Sequence, residues 1–420
     1  MPAYRGAALR CAVLIAGVGA CAHPSRSSLA PAGGAASCLL APASRPPLSA
    51  RSPLITVALT DSVDPNHAPV PRNDPERLVF PQLYEPLVRF DCEGRAVPGL
   101  AESWTSSDGG RRWAFTLRAD AQFWDGAPVT AQDIVFGRSG PGYTLAALET
   151  RVVTVMLARP QDAVPTLLGD PGLAITKPAP DSSWPIGTGR YWATAGTTTA
   201  QEVRAQSSAG DTIVFRLAPN GDARDLLDAG VDLLITRDRA LRDYAATLPN
   251  LTLTSLPWDR TYVLVTPEAG GTRLDGLEQS VRAEARRPEP GFWWLDLRAC
   301  GTTSTTSPPA PPTGTQRRVL YTRSDPTARE LAGRLAALTR GVAVARTADE
   351  FATALAQGRD WGYVTSLPRF VADPCRIAAL RLPGWSATVT ALVDTRATAI
   401  VRRGVARWGV DQDGTVHLVP

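Results

Sequence analysis

An α/β fold in two lobes is what the 420-residue sequence predicts. Short strand-like and helix-like runs alternate along most of the chain, the pattern of a sheet with right-handed crossovers where strands are parallel. After a Pro/Ser/Ala-rich opening about 370 residues remain, too many for one compact core and enough for two. A strand-like run at Tyr262 to Thr266 sits where the chain would cross from one lobe to the other.

The opening residues read as a leader and a tether. Arg5 and Arg10 give residues 1–20 a positive start, and Cys11 to Val18 form a short apolar core. That core is too short for a bilayer, which needs ~20 apolar residues. Val18-Gly19-Ala20-Cys21 fits a bacterial lipobox, with Cys21 the lipidated residue; an ordinary signal peptide that happens to contain Cys21 is the plainer alternative. Residues 21–53 are Pro, Ser, Ala and Gly with little aliphatic content, and cannot bury enough apolar surface to offset their ordering entropy. They are expected to form a disordered tether.

The domain begins at the strand-like Leu54 to Leu59. Farther on, apolar Leu83, Leu87 and Val88 precede a turn at Asp91-Cys92-Glu93-Gly94. Ser107-Asp108-Gly109-Gly110 is a second turn, and Trp113, Phe115 and Leu117 then alternate with Ala114, Thr116 and Arg118, the period of a half-buried strand. Phe123-Trp124-Asp125-Gly126 turns the chain again. Thr130 caps a short helix carrying Ile134, Val135 and Phe136, with Asp133 at its third position.

That order of words resembles the extracytoplasmic solute-binding proteins of family 5, the peptide/nickel ABC-transporter group. The words are Tyr84-Glu85-Pro86-Leu87, then Pro98-Gly99-Leu100-Ala101-Glu102-Ser103-Trp104, then Trp113 to Arg118, then Phe123 to Phe136. Pro185-Ile186-Gly187-Thr188-Gly189-Arg190-Tyr191 is similar to a further turn of the family, with Arg190 where Pro is usual. The resemblance covers roughly residues 54–265 and weakens beyond. It implies a periplasmic-binding-protein-like fold (type II, cluster C) whose two lobes close on a hinged cleft.

Past the signature the expected elements are a helix starting at Leu145 to Leu148, a strand at Val152 to Leu157, a short helix at Ala163 to Leu168, and a strand at Thr212 to Leu217. A helix at Asp222 to Ala229 and strands at Gly230 to Ile235, Leu251 to Leu256 and Tyr262 to Thr266 complete a first lobe of residues 54–265. A shortened second lobe, 266–392, holds a candidate helix at Leu274 to Ala285 and a low-complexity stretch at Thr302 to Thr315. Its βαβα unit runs from Arg317 to Ala356, followed by a strand at Asp360 to Val364 and a turn at Ala372-Asp373-Pro374. Residues 393–420 resemble the strands that return to the first lobe.

Composition excludes several classes. The net charge of +4 includes the two leader arginines, and basic residues are spread without an aromatic stripe, so nucleic-acid binding is disfavoured. With three histidines, no G-x-S-x-G elbow and no H-E-x-x-H, the chain offers no nucleophile with its base and no metal set, and it is read as no enzyme and as needing no cofactor. Beyond Cys11 and Cys21 stand Cys38, Cys92, Cys300 and Cys375, none in a C-x-x-C pair. A Cys300–Cys375 disulfide and free thiols both remain open.

Closing on a solute takes a few polar groups for orientation and aromatics for area. The candidates are Asp61 and Asp64 in the loop after the first strand, with Trp258, Tyr262, Trp293, Trp294 and Trp361. The resemblance adds Tyr84 and Glu85 beside the cleft, and Asp373 as partner of a peptide ammonium, through the segment Trp361 to Pro374. Against these stand plain readings: Tyr84 in the core, Asp373 in a turn, and Trp104, Trp113, Phe115 and Trp124 as packing. The chain is thus expected to be a monomeric, lipid-anchored solute-binding protein of the cell envelope, delivering a short peptide to an ABC permease. A family member retained as an envelope scaffold without transport is the alternative, favoured by the shortened second lobe.

Overall fold

The computed structural model describes residues 40, 54–135, 143–158, 160–161, 164–180, 183–219, 221–267, 292–294, 299–302, 316–369, 385–404 and 408–418. Cys21, Cys38, Cys375 and Asp373, the candidate helix at Leu274 to Ala285 and most of the Thr302 to Thr315 stretch lie outside them.

Strand β1 (Leu54–Leu59) leads to α1 (Asp74–Leu83). Asn73 caps that helix by accepting the Glu76 N–H at 2.9 Å. β2 (Val88–Phe90) and β3 (Ala96–Pro98) pair as a hairpin. Next come β4 (Ala101–Ser107), β5 (Arg112–Leu117), α2 (Ala131–Val135), β6 (Tyr143–Glu149), β7 (Val152–Leu157) and α3 (Val164–Leu168). The strands among them form a four-stranded antiparallel sheet in the order β4-β5-β7-β6. Its buried face carries Trp113, Phe115 and Leu117, as the alternation requires, packed with Phe123, Ile134 and Val155.

The segment expected to start a helix at Leu145 is instead β6. Ala and Leu favour a helix locally, but the full length of the run pairs with β7, and the pairing outweighs the propensity.

After these come β8 (Tyr191–Trp192), β9 (Glu202–Ser207), β10 (Thr212–Leu217), α4 (Ala223–Asp228), β11 (Leu233–Thr236), α5 (Arg239–Ala245) and β12 (Leu251–Ser255). The second part of the chain supplies β13 (Arg260–Pro267), β14 (Phe292–Trp294), β15 (Ala299–Thr302), β16 (Arg318–Thr322), α6 (Pro326–Thr339), β17 (Val342–Arg346), α7 (Ala348–Gln357), β18 (Gly362–Pro368) and β19 (Ala387–Thr395). Last are β20 (Thr398–Arg402) and the hairpin of β21 (Trp408–Val410) with β22 (Val416–Leu418).

Two seven-stranded sheets result. The first runs β12-β20-β11-β1-β10-β9-β8, with β1 parallel to both β10 and β11. The second runs β14-β19-β13-β18-β16-β17, with β15 also on β19 and β16 parallel to β17 and β18. The chain passes from first to second between Ser255 and Arg260, and returns between Thr395 and Thr398. Strand β13 pairs only within the second sheet, so the first lobe's expected end at residue 265 falls inside it.

Leu40 corrects the tether at one point. It is 3% exposed, packs in the core of the first sheet, donates its N–H to the Trp408 carbonyl and accepts the Thr254 hydroxyl. Cys92 is disulfide-bonded. No helix among the described residues is long and apolar enough to cross a membrane.

Candidate functional site

Parallel strands place their carboxyl ends, and the loops that follow, on one edge of a sheet, and ligands bind in the crevice outside that edge. Here the edge of the first sheet carries Thr60 and Asp61 after β1, Asp222 and Arg224 after β10, and Arg237 and Asp238 after β11. Opposite them stand Arg323, Ser324, Pro326 and Arg329, at the end of β16 and the start of α6. Between the two walls is a cavity of about 530 Å³. That volume lies in the range of small-molecule sites, roughly 300–1,000 Å³.

Several of the charges in this cleft are already committed. Asp222 accepts from Arg224, Nε to Oδ2 at 2.7 Å. Asp238 caps α5 by accepting the Ala240 and Leu241 N–H groups at 2.7 and 3.3 Å. Asp74 pairs with Arg260 and, at 3.4 Å, with Arg237. Asp61 accepts only from Ser62, at 2.8 Å from its N–H, and faces no cation at ion-pair distance among the described residues. Neither the Arg323 nor the Arg329 guanidinium has a carboxylate at ion-pair distance among the described residues, and both side chains are exposed.

A smaller cavity of about 60 Å³ lies toward the crossover between the sheets and shares Asp74, Ile235 and Arg237 with the cleft. Arg77, Asp259, Arg260 and Asp413 also line it. Arg237, 5% exposed, reaches Asp259 at 2.5 Å and donates to the Thr395 hydroxyl at 3.3 Å. Burial, reinforced by neighbouring Arg237, holds the Arg77 pKa below its ordinary value, against the attraction of Asp259. Asp259 Oδ1 and Arg260 Nε are buried without a hydrogen-bond partner. One further ion pair, Arg72 with Asp349, joins the loop before α1 to α7.

The sequence-derived candidates scatter over this frame. Asp61 lines the cleft. Asp64 caps the turn Pro65–His67 by accepting the Asn66 N–H at 2.9 Å. Tyr84 is 2% exposed, edge-on to Phe80 at 5.8 Å, and its hydroxyl has no partner. Glu85 takes a two-pronged contact from Arg118 at 2.9 and 3.3 Å. Trp258 lies under the Arg396 guanidinium at 4.5 Å. Tyr262 is fully buried and donates its hydroxyl to Asp325, the cap of α6, at 2.9 Å. Burial raises the Tyr262 pKa, and the Asp325 charge adds to it. Trp361 meets Arg317 at 5.8 Å.

The Gly187-Thr188-Gly189 turn is built for close approach. A Cβ on Gly187 would sit 2.1 Å from the Leu83 carbonyl oxygen and 2.5 Å from the Tyr84 ring. The cleft's own cations, Arg237, Arg323 and Arg329, were not singled out from sequence. Their one signal was position, each immediately after a strand or in the first turn of a helix. Among the described residues no group of three or more His, Cys, Asp or Glu side chains is arranged to hold a metal ion.

Comparison with known proteins bears on this geometry. Residues 95–192 match the family model of bacterial extracellular solute-binding proteins, family 5, middle region. The chain is 48% identical over 50 residues to the nickel-binding periplasmic protein of Escherichia coli, covering 12% of this chain and 10% of that one. It is 50% identical over 62 residues to the periplasmic oligopeptide-binding protein OppA of Haemophilus influenzae, covering 15% and 12%. The matched stretches thus span only about a tenth of those relatives' lengths.

In structure the likeness is broad. The murein tripeptide binding protein MppA of Escherichia coli superposes with a TM-score of 0.62 at 15% identity, over 88% of this chain and 99% of that one. NikA of Staphylococcus aureus in complex with Ni(L-His)2 gives 0.60 at 12%, over 86% and 97%. The ABC transporter-associated binding protein DppA of Helicobacter pylori, in complex with the peptide STSA, gives 0.57 at 13%, over 78% and 80%. These neighbours show the two-lobed periplasmic-binding fold.

Proposed function

We propose that this chain belongs to family 5 of the bacterial extracellular solute-binding proteins and is the extracytoplasmic substrate-binding component of an ABC importer. Its solute is a short peptide, held in the cleft between the first-sheet edge and the α6 end of the second sheet. The observation that carries this reading is the cavity of about 530 Å³, walled on both sides by charged residues that follow strand ends. The peptide is suggested by relatives whose names or bound ligands are peptides, each of them said of that relative. The binding protein supplies affinity and docking, and the importer supplies the energy. Cys21 is the proposed lipid anchor, residues 21–53 the proposed link to the membrane surface, and the protein works as a monomer.

Two lobes joined by two crossovers close when a ligand bridges them. The test is thermal unfolding against a peptide library, followed by small-angle scattering with any hit. Ligand that binds only the native state raises the midpoint according to RT ln(1 + [L]/Kd). The expected outcome is a concentration-dependent rise and a smaller radius of gyration with peptide. A flat response across the library contradicts the peptide reading.

A further inference from the structure

We propose that the cleft reads both ends of a zwitterionic peptide, with Asp61 facing its ammonium and the Arg323 and Arg329 guanidiniums facing its carboxylate. The inference rests on the peptide reading above and assigns residues within it. Its basis is which charges the cleft leaves over. Four carboxylates and four guanidiniums line the cavity. Asp222 and Arg224 neutralise one another, and Asp74 and Arg237 belong to the crossover network. Asp238 is taken by the first turn of α5.

What remains is one carboxylate on the first-sheet wall and two guanidiniums on the opposite wall. The cavity is therefore polarised across its width. A solute with one positive and one negative end is the complement of that arrangement, and its two charged ends would bridge the walls. Glu350, the acid near Arg323 in the first turn of α7, is committed to its capping box with Thr347. The start of α6 beside Arg329 is already capped by the Asp325 carboxylate, which accepts the Ala328 N–H and the Tyr262 hydroxyl, each at 2.9 Å. Charge-assisted hydrogen bonds at the two peptide ends are the stronger ones, and the planar guanidinium suits a carboxylate.

The experiment uses a tripeptide pool built from Ala, Ser, Leu and Phe, so that the only charges are terminal. It is prepared in free, C-terminally amidated and N-acetylated forms and titrated calorimetrically into the full chain. Changing both Arg323 and Arg329 to Gln should weaken the free pool about tenfold or more, a tenfold step being about 1.4 kcal/mol. The same change should leave the amidated pool unaffected. Replacing both by Lys, which keeps the charges, should retain most of the affinity. Asp61→Asn should weaken the free and amidated pools and spare the acetylated one. All three positions are on the cavity surface, so the unfolding midpoint without peptide should not move. If wild type binds but each variant loses the same factor against all three pools, or none, the assignment is overturned while the peptide reading stands. If wild type binds none of the pools, the peptide reading itself fails and the assignment with it.

Discussion

The Arg237 guanidinium lies 2.5 Å from the Asp259 carboxylate, tying the loop after β11 to the chain's passage between sheets. Arg237 follows β11 in the first sheet, and Asp259 precedes β13 in the second. Both are nearly buried, at 5% and 11% exposure. Two ions taken out of water depend on each other for compensation, so removing one strands the other. Arg237→Met should therefore destabilise the protein by about 3–5 kcal/mol. Urea unfolding checks this. A loss below about 1 kcal/mol would mean that Arg260, 3.6 Å from the same carboxylate, takes over the pairing.

The turn at Gly187 predicts a steric effect. The Gly187 carbonyl accepts the Trp124 N–H at 2.9 Å, while the Gly189 N–H donates to the Leu83 carbonyl at 2.9 Å. The end of α1 and the signature turn at Trp124 thus meet against this backbone. A methyl on Gly187 has no room, and the closest atom is a backbone oxygen rather than a flexible chain end. Gly187→Ala should cost about 3 kcal/mol or more, with backbone displacement. An unchanged melting midpoint would remove the packing account of this motif.

A pH effect follows from Asp411, which is 6% exposed. Burial pushes its carboxyl up to about 7 from an ordinary 3.8, Arg89 at 3.5 Å opposing and Asp413 and Asp91 assisting. His417, 3.7 Å away, is pushed down to about 4 from 6.5 by burial, with Arg89 assisting. Between pH 3.8 and 7 the folded state holds a proton on Asp411 that the unfolded state has lost, so this residue's contribution to stability falls as pH rises. For His417 the sign is opposite: between pH 4 and 6.5 the unfolded state holds the extra proton, and stability rises with pH. Asp411→Asn removes the first effect and leaves the second. Relative to wild type, the variant should gain about 2–3 kcal/mol between pH 5 and pH 8, at about 1.4 kcal/mol per pH unit. Parallel denaturant titrations at the two pH values check it, and a constant difference would refute the raised carboxyl.

Local pattern made part of this protein legible. The alternation of Trp113, Phe115 and Leu117 is β5; before the short helix, Thr130 donates its N–H and hydroxyl to Asp133 at 2.8 and 2.6 Å, so the contact runs from the expected cap to the carboxylate of the first turn. The strand at Leu145 was not legible, because Ala and Leu favour helix and only the distant β7 decides otherwise. Leu40 was hidden in a run whose composition is that of a linker; its burial depends on Trp408 and Thr254, both more than two hundred residues away. Asp61 could be named because it follows the first strand directly. Arg323 and Arg329 could not be told from other exposed arginines until the fold set them across a cavity from Asp61.

The account stands most directly on where the solute binds. Ser324 is exposed and lines the cleft on its second-sheet wall, so a large side chain there fills space without entering a core. Calorimetric titration of the best library peptide should show Ser324→Trp binding at least about tenfold more weakly than wild type, about 1.4 kcal/mol or more, with an unchanged unfolding midpoint. Equal affinity in the two proteins would place the peptide outside this cleft and contradict the account.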